Sequence, residues 1–589
     1  MLNQPLDYPS YTSHVAAKQA TLRALLNSYL RETGCQDPRQ GAAGLDAALL
    51  DEGEEFCIPL PRCGGSMLGT LRYFSLLGQH RYGSAFYWRN AQGRVTPLDM
   101  QDVIQRILEE LGSHEEGNTQ ELRLWDMREK INNSFAKMAA YLDAFQLRHP
   151  DGQPLKLDFI AAEQSLLLGH PFHPFPKCSQ GAERREFSNF SPERQATFQL
   201  HYLAVRRPLL VEEWVGEPDA GLADKVLSVA RERLGERFAD YGIMPMHPWQ
   251  ASYLLPQRDV QPLLANGDIV DLGVMGPMAY PTSSVRSVWV PETGHGYKLP
   301  LQVRITNLVR ENTLEQSQRT LDAARVIRRL QDGLESDEFK VILETGYQTL
   351  SADCSGLEAH RVPAFTVLHR PMDIDERRTF VVASLLEAYP GHDEPKLIAA
   401  IRDSGAGSIV DLHRWFEAYL SISMLPLLKI LARTGVSFEA HLQNAQVRLE
   451  DGWPRTFYVR DLEGVSLDRS QVEDSDWWKA LNIAADSPIL YTPDIAWKRT
   501  QYYFFVNHLG GVVHALADHL GVDEGEFWRL AGTVLERERD PHDARLCGYI
   551  DELLHARHWP AKANFLSCFQ QRGDTPLFID VINPIKASR

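Results

Sequence analysis

Three segments of the chain concentrate side chains able to do chemistry. The first is Gly169-His170-Pro171-Phe172-His173-Pro174-Phe175-Pro176-Lys177. The second is Pro281-Thr282-Ser283-Ser284-Val285-Arg286, with Lys298, Thr306 and Arg310 downstream. The third is His441-Leu442-Gln443-Asn444, followed by Arg460-Asp461-Leu462-Glu463-Gly464. Read together they suit a nucleoside triphosphate. His, Lys and Arg would meet phosphate oxygens, and an amide with two carboxylates would hold the Mg2+ that bridges phosphates. Asp461 and Glu463 are two apart, so an extended backbone sets them on one face. Asn444 precedes, and Asp461 follows, a segment that reads as a hairpin, so both stand at its base. A kinase-like fold places its metal ligands by similar logic. The plainer reading is a polar hairpin base closed by a structural salt bridge.

The other two segments have their own plain alternatives. Residues 158–168 look helical, and Gly169 is a natural stop. Pro171, Pro174 and Pro176 then forbid a helix or a central strand. His170, His173 and Lys177 therefore sit on a rigid loop, suited to anionic oxygens or simply exposed at the surface. A metal reading of His-x-x-His lacks a third ligand nearby. Ser283, Ser284 and Arg286 open a strand, where hydroxyls and a planar guanidinium can take phosphate or carboxylate. Such residues at a strand edge are commonly just solvated. Residues 291–296 read as a hairpin loop, which brings Arg286 beside Lys298. Thr306 and Arg310 follow the second strand. No G-x-x-x-x-G-K-[ST] occurs, so a nucleotide site here is not of Walker type.

These residues need elements to position them. A helix is expected over 15–32, ended by Gly34. Antiparallel strands follow over 66–97 with a turn at 90–93, then helices near 99–112 and 119–148. Strand character covers 197–211, 284–290, 297–307, 339–343 and 362–369, and a helix covers 314–330. The remainder reads as helices over 408–434, 496–520 and 523–538, interrupted by a hairpin over 445–459. The fold class expected is mixed α/β, with stretches 1–150, 151–374 and 375–589 as three domains.

Composition narrows the partners. The 589 residues carry a formal net charge of −17, which argues against a nucleic-acid role. Seven cysteines without a C-x-x-C spacing suit reduced thiols. No charged n-region and apolar h-region opens the chain and no run of 18 apolar residues occurs, so neither a signal peptide nor a membrane span is expected. A cytoplasmic protein is the expectation. The most apolar stretch, 420–432, reads as a buried helix.

In order and content the three segments, with Ile305-Thr306-Asn307, Lys562 and Asn583-Pro584, resemble the NRPS-independent siderophore synthetases of the aerobactin-synthetase type. The likeness spans roughly residues 160–585. One departure is Ser179, where the family often has Arg before a Gly that matches Gly181. The resemblance implies a cupped hand of thumb, fingers and palm that often dimerises. It implies that ATP and Mg2+ activate a carboxylate as an acyl-adenylate, which an amine or alcohol then attacks, releasing AMP. By this likeness His170, Lys177, Ser283, Ser284, Arg286, Lys298 and Arg310 bind ATP, and Asn444, Asp461 and Glu463 hold Mg2+. Ser284, Thr306, Arg310, His441 and Lys562 match citrate-binding positions, with Arg310, His441 and Lys562 as catalytic candidates. Lys562 is singled out by the resemblance alone. The sequence leaves open a citrate monoamide or 2-oxoglutarate as substrate, a kinase-like phosphotransferase and a non-catalytic binding protein.

Overall fold

The computed structural model describes residues 10–589 except 36, 42–43, 47–48, 50–51, 113–117, 151–155, 181–188, 306–307, 404–410, 474, 482 and 574. Helix Tyr11–Thr33 begins where the Ser10 hydroxyl accepts from Ser13 N and ends at Gly34, whose φ of 81° only glycine adopts easily. It packs on the antiparallel meander Glu54–Leu60, Gly65–Tyr73, Arg81–Asn90 and Val95–Leu98, and on helices Met100–Gly112 and Asn118–Arg148. Leu22, Leu26, Phe56, Ile58, Ile104 and Ile131 form the core between them. The turn at 90–93 lies where expected. Strand Glu54–Leu60 was not expected, because two glutamates and Pro59 break its apolar pattern. It is the edge strand, where proline is tolerated.

The middle of the chain builds an eight-stranded sheet, antiparallel at every pairing. Its order is Leu210–Trp214, Gly346–Leu350, Val367–Pro371, His295–Lys298, Ser287–Val290, Ile269–Pro281, Phe198–Arg206 and Tyr241–Met246. The expected hairpin around residues 291–296 sits at its centre. Ser287 faces Lys298 across the pair, and Leu299 N donates to Arg286 O at 3.0 Å. Arg286 and Lys298 therefore leave the sheet at the same end. Other expectations shift by small amounts. The run 197–211 breaks after Arg206, and 362–369 begins as a 3-10 turn, Ala359–Phe365, around Pro363. Strand Ile269–Pro281 escaped notice because Gly273 and Gly276 take positive φ and shift its register, which breaks the two-residue period.

The last stretch adds helices Leu412–Ile422, Met424–Thr434, Gly525–Arg537 and Ala544–His555, and a rod running from Pro493 to Leu520. The middle of that rod, Gln501–Leu509, is π-helical. A four-stranded sheet orders Phe339–Val341, Trp453–Val459, Ala445–Glu450 and Thr379–Val381. A final hairpin, His558–Ala563 with Leu577–Ile582, carries Lys562. The span Leu412–Thr434 is long and apolar enough to cross a membrane by composition, yet 72% of its apolar window is buried inside the protein. The largest core joins Trp415, Phe457, Phe505 and Trp559 to Ala17, Met138 and Leu321, so all three stretches of the chain share it. The seven cysteines are free thiols.

Gly346 is required by close packing. A Cβ there would lie 2.0 Å from Cε3 of Trp214 on the neighbouring strand. Gly346→Ala is expected to destabilise the protein by about 1–3 kcal/mol, as overpacking does. Urea denaturation of the two proteins measures this, and indistinguishable midpoints would show that the strand yields.

Candidate functional site

The hairpin Ala445–Val459 forms as expected, with Ala445 opposite Val459 and Arg460 N donating to Asn444 O at 3.0 Å. Its base meets the end of the eight-stranded sheet. Lys298 Nζ donates to Asp461 Oδ1 and to Glu463 Oε2, each at 2.8 Å. Lys298 is only 3% exposed. Burial alone would push its ammonium down, but Asp461 and Glu463 outweigh that and hold it above its ordinary value. Burial likewise pushes both carboxyls up, and Lys298 together with nearby Arg side chains brings them net below their ordinary range. All three groups are therefore charged. Asp461 has a φ of 70°, an uncommon left-handed conformation for a residue with a Cβ. Glu344 braces the turn: Oε2 accepts from Leu462 N at 2.9 Å, while Oε1 accepts from Arg370 Nε at 2.6 Å. The salt bridge of the plainer sequence reading is present here, made by the same two carboxylates that the other reading takes as oxygen ligands.

Beside it stands the turn of residues 282–286, closed by Thr282 N to Ser287 O and Val285 N to Thr282 O, both 2.8 Å. Val285 has a φ of 68°, which is strained for a β-branched residue. Its side chain packs against Trp249, Leu301 and Val303. The Glu163 carboxylate accepts from Ser283 N at 3.0 Å and from Ser283 Oγ at 2.8 Å, and ion-pairs with Arg460 at 2.5 Å. Arg286 Nη1 donates to Glu311 O and Asn312 Oδ1 at 2.9 and 2.7 Å. Arg310 lines the same cavity. Thr306 and Gly181 lie outside the described residues.

The loop Gly169–Lys177 forms the next wall. The helix before it is shorter than expected, Phe159–Gln164, because an outside acceptor captures the chain that follows. Glu387 takes the N–H groups of Leu167, Leu168 and Gly169 at 2.8, 3.0 and 2.9 Å. His170 Nδ1 accepts from Phe172 N at 3.0 Å, and its Nε2 lies 2.8 Å from the Asn507 side-chain amide. Burial pushes this imidazole down to about 3, so His170 presents a neutral ring where the sequence suggested a cation. His173 is pushed to about 4, again chiefly by burial. Lys177 Nζ lies 2.7 Å from Glu193 and 2.5 Å from Leu166 O, so it holds the loop while lining the cavity.

The π-helical segment supplies Tyr503 and Asn507 to the opposite wall. The Lys562 ammonium donates to the Tyr503 hydroxyl, and burial pushes its pKa down. His441 Nδ1 accepts from the N–H groups of Gln443 and Asn444, both 3.2 Å away. Its Nε2 lies 3.7 Å from Glu439, which also pairs with Arg499 at 3.1 Å. Sequence reasoning missed Glu163, Glu344, Glu387, Glu439, Tyr503 and Asn507. The one available signal was an isolated glutamate in an apolar run, as in Ala161-Ala162-Glu163 and Leu385-Leu386-Glu387.

All the expected site residues that are described line one cavity of about 1910 Å3. Single-ligand pockets are typically about 300–1,000 Å3, so it has room for several substrates together. The donor set at the hairpin base fits Mg2+: two ionised carboxylates and the Asn444 amide, with an ammonium already marking where positive charge is balanced. Among the described residues no three His, Cys, Asp or Glu side chains could hold a metal by themselves. Mg2+ commonly uses one or two carboxylates and completes its shell with water and phosphate oxygens.

Comparison with known proteins places this geometry. A sequence profile of the IucA / IucC family matches residues 158–387, and one described as ferric iron reductase FhuF-like transporter matches residues 413–577. The chain is 31% identical to an L-2,3-diaminopropanoate–citrate ligase of Staphylococcus aureus, over 97% of this chain and 96% of that one. It is 28% identical to a spermidine–citrate ligase of Bacillus anthracis, over 97% and 98%. Its fold superposes on that of ATP-bound aerobactin synthetase IucA from Klebsiella pneumoniae with a TM-score of 0.82, at 24% identity over 96% of this chain and 99% of that one.

Glu163 and Arg460 join two walls of the cavity, and both are almost fully buried. Glu163→Leu strands the guanidinium and is expected to destabilise the protein by about 3 kcal/mol or more. Adding Arg460→Met should recover at least half of that loss in chemical denaturation. A double variant no more stable than the single one would mean that the pair is not what joins the walls.

Proposed function

The chain belongs to the IucA/IucC family of NRPS-independent siderophore synthetases, and from that premise we propose that it uses ATP to condense citrate with an amine or an alcohol. One observation carries this reading. The Lys298–Asp461–Glu463 triad, Arg286 and Arg310 converge on a single cavity of a chain that resembles citrate ligases throughout its length.

In this reading a citrate carboxylate oxygen attacks the α-phosphorus of ATP. The bond from that phosphorus to the bridging oxygen breaks, and pyrophosphate leaves. Arg286, Lys298 and Arg310 hold phosphate oxygens, with Ser283, Ser284 and the neutral His170 ring as hydrogen-bond partners. Negative charge grows on the transferring and leaving phosphates, and cations already in place stabilise it without reorganising. Asn444, Asp461 and Glu463 would hold Mg2+, which when bound neutralises phosphate charge. Thr306, Arg310, His441 and Lys562 hold the carboxylate substrate. Citrate and ATP are both polyanions, so their approach needs this density of positive charge. In the second step the nucleophile attacks the acyl carbon, AMP leaves and the nucleophile loses a proton. Lys177, committed to Glu193, positions the His170 loop.

Purified protein with ATP, Mg2+ and citrate should release pyrophosphate, and hydroxylamine should trap the activated acid with AMP as co-product. ADP in place of AMP would shift the reading to a phosphotransferase. A response to 2-oxoglutarate or a citrate monoamide alone would move the substrate. Lys298→Ala and Arg310→Ala are each expected to lower citrate-dependent pyrophosphate release by ~100-fold or more. Near-wild-type rates in both variants would refute this assignment of the site.

A further inference from the structure

The cavity extends past the groups used above, to a wall made by helix Tyr11–Thr33, strand Arg81–Asn90 and the end of helix Gly510–Leu520. Asn507, Gly511, Ala515 and Asp518 all line it, a single helical face about 16 Å long at about 1.5 Å per residue. Arg81 is anchored at the far end, 2.7 Å from Asp518 and 3.6 Å from Asp393. Arg23, beside it, is not anchored. Among the described residues its guanidinium forms no hydrogen bond and no ion pair. Burial and then the charge of Arg81 weaken its hold on a proton, and Glu387 and Asp518 act against them from a distance.

Arg286, Lys298 and Arg499, which line the same cavity, have carboxylate or carbonyl partners. A partly desolvated guanidinium with no partner is costly, and a planar carboxylate relieves that cost through paired hydrogen bonds. Asp393 and Asp518 share the one guanidinium of Arg81, so together with Glu387 in the same cavity they leave negative charge that an ammonium would balance. The wall therefore offers a cation and anions together, the pattern that fits a zwitterion.

We propose that Arg23 selects the acyl acceptor, binding the carboxylate of an amino-acid-type nucleophile whose free amine or hydroxyl enters the reaction. This rests on the ligase reading above and names the second substrate's class. Diamino acids carry the required group; their decarboxylated diamines do not.

Two readouts test it separately. Citrate-dependent pyrophosphate release with hydroxylamine trapping reports the first half-reaction, and Arg23→Met should leave it within about 2-fold of wild type. Full condensation is then compared for 2,3-diaminopropanoate, ornithine and lysine against ethylenediamine, putrescine and cadaverine. Wild type should favour the amino acids by at least ~10-fold in kcat/KM, the scale of one charge-assisted contact. Arg23→Met should bring the two series close to parity, mainly by raising KM for the amino acids. Arg23→Lys, which keeps charge without the planar fork, should fall between them and serves if the Met variant does not fold. Diamines equal or better in wild type would overturn the proposal, as would an equal loss for both series. A raised KM for citrate would assign the carboxylate at Arg23 to citrate instead and also overturn it. Absence of any citrate-dependent pyrophosphate release in wild type would sink the ligase reading, and the role of Arg23 with it.

Discussion

Lys298 lies between two carboxylates with almost no access to water, and much of the surrounding structure follows from that burial. Lys298 is shielded from water while its two acids are partly open to the cavity, so removing the ammonium leaves two carboxylates facing each other uncompensated, which costs stability. The pairing joins positions 163 and 165 residues apart in the chain. It forces the hairpin Ala445–Val459 against the end of the eight-stranded sheet. It also explains the neighbours. Arg286 and Arg370 add positive charge next to the two acids, and Glu344 balances Arg370 while fixing the backbone of Leu462.

The same logic recurs around the cavity in a different form. Walls that face the wide cavity are built largely of loops, and loops lack ladder partners for their N–H groups. Here buried glutamates supply the missing acceptors. Glu387 takes three consecutive N–H groups before His170, and Glu163 takes the backbone and hydroxyl of Ser283. Glu439 joins Arg499 to the short segment between strand Val436–Ser437 and His441. Groups that line the cavity thus rest on ionic and hydrogen-bonded supports, which hold them in place.

Much of the site was legible because its signals are local. The loop at 291–296 and the pattern over 445–459 marked two hairpins, and residue spacing then placed Arg286 near Lys298 and Asn444 near Asp461. The supports were not legible, since a lone glutamate in an apolar helix gives no hint of its distant partner. Neither was the neutrality of His170, which depends on burial from several segments. The sheet order was hidden because the long strand Ile269–Pro281 is bent by two glycines. Lys562 stood out by family likeness alone; in space it lies against Tyr503, on a segment whose helical type the sequence does not announce.

That segment, Gln501–Leu509, carries more residues per turn than the α-helices on either side of it. It therefore sets the phase between the two halves of one rod. Tyr503 and Asn507 on one side, and Gly511, Ala515 and Asp518 on the other, face the same cavity, and that phase sets how they line up. An α-helix advances about 100° per residue. Wound as an ordinary α-helix, the same 9 residues would turn further, and one half of the rod would be rotated against the other. The π segment thus works as a mechanical key that aligns the two ends of the cavity.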